Sequence, residues 1–429
     1  MEEQSQLNPN ITYLHDKHIF DYPDLEVSLT YSDYKERDET MYLEVETSRF
    51  PKAGLLYAGK FAYDTLGGNS GMKAWTDRLT DRSTDKEISF LEDVDWHSIL
   101  LTTKQDSLTR WRKGAPSVAL VDVESAGADK WLLFPFLQQG YINIIFGDGG
   151  TGKSTLAQAI AVTLASGHPV MGADASKTLN VMYLDWEEEA EAHREIVESI
   201  CRGASIPIPP NIRYRRMDRA LAGSIRGVRD EVIAHDIGLV IVDSIGMAGG
   251  ADPERAGTKI GLFDHLRTLK GCTILALDHI AKGDNSSPYG SVYTKNQARL
   301  IWNVESTSDE DSTKLQITMR LNKINRGRKI GRRAYSLQYE ADENDALKAI
   351  SFERMDVMEI PKERDRSELW QLAYYELKKG QMHINDLVTA IKDRDGTAPK
   401  VDSLRTAMKR RNGTFQSNAM DPNIWQLKA

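Results

Sequence analysis

The stretch INIIFGDGGTGKSTLAQA, residues 142–159, decides the fold expected for this chain. Its middle, Gly147 to Ser154, fits the pattern G-x-x-x-x-G-K-[ST] at every fixed position. The apolar run YINIIF comes before it, and the helical pattern KSTLAQAIAVTLASG overlaps its end. Glycines let such a loop bend so that successive N–H groups face phosphate oxygens, and the helix N-terminus adds a positive dipole end. The stretch therefore predicts a strand, a phosphate-binding loop and a helix.

The residue types in this loop predict a nucleoside triphosphate and a divalent cation, with ATP and Mg²⁺ as the expected pair. Lys153 would reach the β- and γ-phosphates, and the Ser154 hydroxyl would ligate Mg²⁺. A chance glycine-rich turn is the alternative, and the strand and helix on either side argue against it. The expected nucleotide ligands are Gly147, Asp148, Gly149, Gly150, Thr151, Gly152, Lys153, Ser154 and Thr155.

Three more apolar runs have the character of strands buried on both faces, namely TLNVMYLDW, IGLVIVDS and CTILALDH. Helical patterns separate them, which favours an α/β fold with a mostly parallel sheet and helices on both faces. LQITMRLNK and AYSLQYE read as later, antiparallel strands added to the same sheet.

Polar residues end each of these runs, and ligands of parallel sheets gather at the carboxyl ends of the strands. Asp243 would hold the Mg²⁺ shell opposite Ser154, although a lone Asp there is often a turn residue. Glu187 is the predicted base or orienting group for an attacking water, although the acids beside it also suit a helix start. His279 could hydrogen-bond a γ-phosphate, while a structural role is the alternative.

The bulk composition excludes several classes of protein. The 429 residues carry a formal net charge of −8, which argues against a surface that coats nucleic acid as a whole. Two distant cysteines, Cys201 and Cys272, suggest neither a metal site nor disulfides. The polar start lacks a signal peptide pattern, and no apolar run approaches the roughly 20 residues that cross a bilayer. We therefore expect a cytoplasmic protein without a membrane partner.

Changes of pattern along the chain predict three domains. Residues 1–112 form a small α+β domain of unknown role, 113–357 an ATPase domain, 358–367 a linker, and 368–429 three helices followed by a hairpin. That last layout is typical of a winged helix, whose third helix would contact DNA. Protein contact is the alternative for such a domain. The candidate DNA contacts there are Arg405, Lys409, Arg410 and Arg411.

Five motifs in order, GDGGTGKST, YLDWEEE, VIVDS, LDHIAKG and GSVYTKNQARLIW, resemble the RecA-like P-loop ATPases. The closest likeness is to the RepA-type hexameric replicative helicases of plasmids and phages, with an AAA-type ATPase domain. The resemblance implies that Glu187 acts on water, that Asp243 is the Walker B acid, and that His279 senses the γ-phosphate. It also implies that Arg299 reaches the ATP of a neighbouring subunit, which requires a homo-oligomer, expected as a hexameric ring.

One departure from related helicases concerns a Lys-x-Arg pair on a late strand. Here Lys323 is followed by Ile324 and Asn325, with Arg326 one place later. The resemblance implies a phosphate contact by Lys323 and leaves Arg326 open. The basic run around them could instead hold nucleic acid.

The resemblance also places two loops, 246–259 and 281–297, at a central channel. They offer Arg255 and Lys259 in the first loop and Lys282 and Lys295 in the second. The expected function is an ATP-driven motor on single-stranded or forked DNA, a replicative helicase of a plasmid, phage or other mobile element. The acidic N-terminal domain would contact a replication partner. The alternatives are an ATP-switched DNA-binding loader without unwinding activity and, more weakly, a small-molecule kinase.

Overall fold

The computed structural model describes most of the chain in two compact units, Met1–Ser125 and Ala126–Ala429. The described residues are 8–13, 17–37, 40–49, 55–62, 94–114, 116–123, 131–250, 256–281, 284–288, 292–307, 313–325, 327–344, 346–360, 363, 367–395 and 397–428. Among them, no helix combines the length and the apolar character needed to span a bilayer.

The first unit is an antiparallel sheet with one long helix. Its strands follow one another in chain order: β1 (Asn10–Tyr13), β2 (Lys17–Tyr22), β3 (Val27–Arg37), β4 (Thr40–Arg49) and β5 (Leu55–Ala62). Helix α1 (Trp96–Lys113) starts after Asp95, whose carboxylate accepts a hydrogen bond from the Ser98 amide. Alternate residues of β2 and β3, such as Phe20 and Leu29, are buried in one cluster with Leu100 of α1. The predicted α+β character of this region is confirmed.

The second unit is built on a large mixed sheet. Its strands, with the short pair β6 and β7 beside it, are β6 (Trp131–Leu133), β7 (Leu137–Gln138), β8 (Ile142–Gly147), β9 (Asn180–Asp185), β10 (Ile212–Arg216), β11 (Ile237–Asp243), β12 (Thr273–Ala281), β13 (Asp284–Pro288), β14 (Leu300–Thr307), β15 (Lys314–Ile324), β16 (Arg333–Ala341) and β17 (Leu347–Met355). The order is β10-β9-β11-β12-β8-β14-β15-β16-β17, with β13 paired to β12. The pairs from β10 to β14 are parallel and the later ones antiparallel. The sequence predicted this arrangement for the four central strands and for β15 and β16, but it did not predict β10, β14 or β17.

Helices cover both faces of this sheet. They are α2 (Lys153–Ser166), α3 (Ala190–Gly203), α4 (Ile225–Ala234), α5 (Ile245–Gly249), α6 (Ala256–Arg267) and α7 (Val292–Gln297). The period of two along β8 divides the apolar residues: Ile145 packs in the cluster with α2 and α3, whereas Ile144 and Phe146 pack in the cluster with α4, α5 and α6. Burial on both faces explains why β8, β9, β11 and β12 are continuous apolar runs.

The end of the chain forms its own hydrophobic cluster. Its elements are α8 (Leu369–Leu377), β18 (Met382–His383), α9 (Ile384–Asp395), α10 (Val401–Lys409), β19 (Phe415–Ser417) and β20 (Ile424–Leu427). The strands form an antiparallel sheet in the order β18-β20-β19. Helix α10 buries Leu404 and Met408, one turn apart, against α8 and α9, which leaves the basic residues of α10 on its other sides.

Candidate functional site

Several glycines at the end of β8 and in the loop after it are required by the backbone, and Gly147 and Gly152 show the two reasons. A Cβ on Gly147 would lie 2.4 Å from the Val304 carbonyl oxygen of β14, so a side chain there would displace the strand. Gly152 has a φ of +79°, a left-handed conformation that side chains rarely adopt. Helix α2 begins at the next residue, Lys153, so the loop opens onto a helix N-terminus.

The Lys153 side chain is folded back over the loop. Its ammonium group donates to the Asp148 carbonyl oxygen at 2.6 Å, and the Thr151 hydroxyl donates to the same oxygen at 2.8 Å. Burial lowers the pKa of Lys153, and the nearby Asp243 and Asp148 carboxylates oppose that shift. The loop is thus preshaped around a buried cation, which suits binding of an anion.

Ser154 and Asp243 meet from opposite sides of the site. The Ser154 hydroxyl donates to Asp243 Oδ2 at 2.8 Å, and the Tyr183 hydroxyl donates to the same oxygen at 2.8 Å. Burial raises the pKa of Asp243, although both hydrogen bonds act in the opposite direction. Among the described residues, no group of three or more His, Cys, Asp or Glu could hold a metal by itself. A hydroxyl and a carboxylate are nevertheless the oxygen ligands that Mg²⁺ uses when phosphates and waters complete its shell.

Glu187 stands in the turn between β9 and α3. Its side chain is exposed, and its Oε1 accepts a hydrogen bond from the Ser244 hydroxyl at 3.3 Å. Its backbone N–H donates to Asp185 Oδ1 at 2.5 Å, and the Glu188 N–H donates to the same oxygen at 3.1 Å. The turn is therefore fixed through its backbone while the Glu187 carboxylate faces the open site.

His279 is exposed near the end of β12, and the residue before it is buried. The Asp278 carboxylate accepts the His279 N–H at 3.0 Å, and burial raises the pKa of Asp278 to about 7. Lys259 of α6 is fully buried, and Asp278 opposes the lowering of the Lys259 pKa by burial. The expectation that Lys259 faces a channel is wrong, because the side chain points into the protein interior.

These residues surround one cavity of about 410 Å³. It is lined by Gly149, Gly150, Thr151, Gly152, Lys153, Ser154, Thr155, Glu187, Asp243, Ser244, Leu277, Asp278, His279, Leu315 and Tyr339. Five lining residues were not predicted from the sequence, namely Ser244, Leu277, Asp278, Leu315 and Tyr339. Asp278 stands beside His279 in LDH and could have been found, whereas Leu315 and Tyr339 come from the antiparallel strands, where no local motif marks them.

Arg299 and Lys323 lie at the other end of the sheet. The Arg299 N–H donates to the Ile142 carbonyl oxygen, and its guanidinium carbon is 5.4 Å from the centre of the Tyr141 ring. Gly147 is five positions after Ile142 in β8, which corresponds to roughly 16 Å of strand. The Lys323 ammonium group donates to the Lys295 carbonyl oxygen, and its pKa is lowered by burial and by Arg299. Neither cation lines the cavity of its own chain.

The candidate DNA contacts differ in how exposed they are. Lys409 and Arg410 at the end of α10 are exposed. Arg405 donates to Asn423 at 2.5 Å, and the Arg411 guanidinium lies 4.5 Å from the centre of the Trp370 ring. Lys295 is half-buried, while Lys282, Arg255 and Arg326 lie outside the described residues.

Comparison with known proteins supports the phosphate site. Residues 122–285 match the sequence model of a family described as "AAA domain". The matched range contains the loop, Glu187, Asp243 and His279. No curated protein matches the chain. A solved structure that resembles it is a KaiC-like protein from the hyperthermophilic archaeon Pyrococcus horikoshii OT3. That structure has a TM-score of 0.38 and 16% sequence identity, and the match covers 54% of this chain and 98% of the other. The matched domain together with the loop geometry supports an ATPase built on a mostly parallel sheet.

Proposed function

We propose that this protein is a DNA-dependent ATPase motor, a replicative helicase of the RepA type, which hydrolyses ATP between neighbouring copies. The observation that carries this proposal is that the groups needed for hydrolysis lie at two opposite ends of the sheet. Ser154, Asp243 and Glu187 meet at the loop, while Arg299 and Lys323 lie at the opposite end of the sheet.

The loop side of the site has the groups that bind and activate a triphosphate. The loop N–H groups and Lys153 bind the phosphates, and Ser154 and Asp243 are the residues that would hold Mg²⁺. When bound, that ion neutralises charge on the phosphate oxygens. The 2.8 Å contact between the Ser154 and Asp243 oxygens supports this role, since one small cation could take both as ligands.

Glu187 orients the attacking water. The water oxygen forms a bond to the γ-phosphorus, the bond from that phosphorus to the bridging oxygen breaks, and ADP and phosphate leave. Glu187 accepts the hydrogen bond from the water, and the Ser244 hydroxyl at 3.3 Å holds the carboxylate in place. His279 lines the same cavity and is the residue that would lose a contact when the γ-phosphate leaves.

The opposite end of the sheet supplies cations to a second copy. Arg299 is exposed and lies near Lys323, so a neighbour that docks its loop against this end would meet two positive charges. A guanidinium stabilises the charge that develops on the transferring phosphoryl group. A head-to-tail contact of this kind generates a ring when its rotation closes, and a hexamer is the form we propose.

Two observations support DNA as the partner. The last elements of the chain follow the order helix, strand, helix, helix, strand, strand, which supports the winged-helix-like domain that we propose. Its third helix ends at the exposed cations Lys409 and Arg410. Cations on such a surface bind phosphates without reading sequence. The N-terminal unit, with its own core, would contact a replication partner.

The test compares ATP turnover with and without single-stranded DNA, together with strand displacement on a forked duplex. A motor shows many-fold stimulation and ATP-dependent displacement. Binding of DNA that depends on ATP, with neither stimulation nor displacement, would favour a loader or regulatory ATPase instead. Turnover at full rate by a strictly monomeric protein that ignores DNA would refute the motor.

A further inference from the structure

A buried network lies behind Glu187 and joins it to the helix that follows the phosphate loop. His193 of α3 is at its centre: Nε2 is 2.6 Å from Asp185 Oδ2, and Nδ1 is 2.8 Å from Gln158 Nε2 of α2. Gln158, Asp185 and His193 are each at most 5% exposed. None of the three lines the cavity at the loop.

The chemistry of the three groups fixes the direction of each hydrogen bond. Burial acts to raise the pKa of Asp185, but the hydrogen bonds from His193 and from the Glu187 and Glu188 amides outweigh it and hold that pKa below its usual range. A carboxylate only accepts hydrogen bonds, so His193 Nε2 is the donor. The Gln158 amide nitrogen can only donate, so His193 Nδ1 accepts from it. One tautomer therefore satisfies every member of the network.

Asp185 divides its two oxygens between His193 and the turn. Oδ2 faces His193, while Oδ1 accepts the N–H groups of Glu187 and Glu188. Asp185 is not the cap of helix α3, which begins at Ala190 after Glu189. Its carboxylate instead holds the four-residue turn that carries Glu187, so the position of Glu187 depends on where His193 holds Asp185.

Aromatic contacts restrict His193 further. The centres of the His193 and Tyr183 rings are 4.4 Å apart, and those of the His193 and Tyr214 rings are 4.9 Å apart. The Tyr214 hydroxyl donates to the Glu188 carbonyl oxygen, and the Tyr183 hydroxyl donates to Asp243. Of the two tyrosines that contact the His193 ring, Tyr214 thus hydrogen-bonds to the turn that carries Glu187, and Tyr183 hydrogen-bonds to Asp243.

We infer that His193 and Asp185 are positioning residues that link the helix after the phosphate loop to the turn carrying Glu187, and so set the geometry of the water that Glu187 orients. This inference rests on the proposed function, because it assigns a role in that hydrolysis. Gln158 transmits the position of α2, whose N-terminus binds phosphate, to His193. Misplacement of about 1 Å at such a group can cost on the order of 100-fold in rate.

The experiment measures kcat and KM for ATP, the affinity for a fluorescent ATP analogue and the thermal midpoint of unfolding. His193→Leu removes the donor to Asp185. We expect kcat to fall by roughly 10- to 100-fold while nucleotide affinity changes little. His193→Gln, whose amide can still donate to Asp185, should recover much of the rate. Gln158→Met, a change of similar volume, should lower kcat in the same direction and serves as the test should His193→Leu fail to fold.

A matched control is Val197→Ala, one turn along the same helix, which removes buried methyl groups but no hydrogen bond of the network. It should lower the unfolding midpoint and leave kcat near the wild-type value. Unchanged kcat in His193→Leu or Gln158→Met, or an equal loss in Val197→Ala, would overturn the inference.

Glu187→Gln distinguishes failure of the proposed function from failure of the positioning role alone. If wild type lacks turnover or Glu187→Gln retains it, the proposed function fails and this inference with it. If Glu187→Gln is inactive but either network variant turns over normally, the positioning role alone fails.

Discussion

The Ser154 hydroxyl lies 2.8 Å from Asp243 Oδ2, although 89 positions separate the two residues along the chain. The contact arises because β8 and β11 are parallel strands separated only by β12, so their carboxyl ends reach the same edge of the sheet. One oxygen belongs to the start of a helix and the other to the end of a strand. Two rigid elements therefore hold the pair that we assign to Mg²⁺.

Replacing the carboxylate of this pair should uncouple nucleotide binding from Mg²⁺. In Asp243→Asn we expect ATP turnover to fall by at least about 100-fold, because the amide carries no charge to attract the ion. Titration of a fluorescent ATP analogue with and without Mg²⁺ measures the coupling. Asp236→Asn is the matched control, since Asp236 directly precedes the same strand at its other end and is exposed. Mg²⁺-dependent binding that survives in Asp243→Asn would contradict the assignment.

Mixing two inactive variants tests whether the site is completed by a neighbour. Arg299→Ala should retain nucleotide binding and lose turnover, whereas Lys153→Ala should lose both. A mixture in equal amounts should recover up to about a quarter of the wild-type rate, because an active contact then needs the loop from one variant and the guanidinium from the other. Turnover measured against mixing ratio is the readout.

Two results would argue against a shared site. A mixture with no more activity than its components, in preparations shown to exchange subunits, would contradict action between copies. Full turnover by Arg299→Ala alone would remove Arg299 from the reaction. Lys323→Ala should behave in the mixture like Arg299→Ala, since both cations lie at the same end of the sheet.

The buried pair of Lys259 and Asp278 should make stability depend on pH. Burial raises the pKa of Asp278 to about 7 in the folded protein, above the 3.8 of an ordinary aspartic acid. Its contribution to stability is therefore fully present below pH 3.8 and lost as pH rises through about 7. Lys259→Met removes the cation that favours the ionised form of Asp278, so the pKa of Asp278 should rise further. At pH 8 we therefore expect the free energy of unfolding to fall by about 1–3 kcal/mol. At pH 5.5 the carboxyl is protonated and the loss should be clearly smaller.

Denaturant unfolding at the two pH values measures this difference. Lys270→Met, an exposed lysine just beyond α6, is the control and should change little at either pH. The double variant Lys259→Met with Asp278→Asn should recover stability at pH 8. Equal losses for Lys259→Met at pH 8 and pH 5.5 would show that the two groups are not coupled.

The exposed cations of α10 should contribute phosphate contacts. In a variant with both Lys409→Ala and Arg410→Ala, the slope of log K against log salt concentration for single-stranded DNA should become shallower by about 1 to 1.5. Fluorescence anisotropy over a salt series gives that slope. Alanine at the exposed Lys177 and Lys348 changes the net charge equally and should leave the slope unchanged. An unaltered slope in the α10 variant would assign this domain to protein contacts.

Much of the parallel sheet could be predicted because four of its six strands are recognisable from local sequence, whereas β10 and β14 were not predicted. Burial on both faces makes β8, β9, β11 and β12 continuous apolar runs, and the glycine pattern at 147–154 requires no partner to be recognised. The antiparallel strands β15 and β16 were also predicted, but not that Leu315 and Tyr339 would reach the cavity. Their contribution depends on how far the sheet curls, which no local pattern encodes.

Lys259 is an example of a residue whose environment could not be predicted from the sequence. In the sequence it is a cation in a loop rich in small residues, where exposure is the normal outcome. The structure buries it because α6 begins at Ala256 and turns the side chain into the interior, where the Asp278 carboxylate acts on its pKa. A sequence pattern cannot reveal such a pair, since the two residues lie on different elements of the second unit.

The sequence by itself determined the phosphate loop, the order of the four apolar strands with helices between them, and the identity of the acids at the strand ends. These features depend on neighbouring residues and on periodicity. Only the tertiary structure decided which of those acids meet. It also decided that His193 contacts Asp185 and that Arg299 lies at the far end of the strand that carries the loop. Contacts between distant segments follow from sheet register and helix packing, which are collective properties of the folded chain.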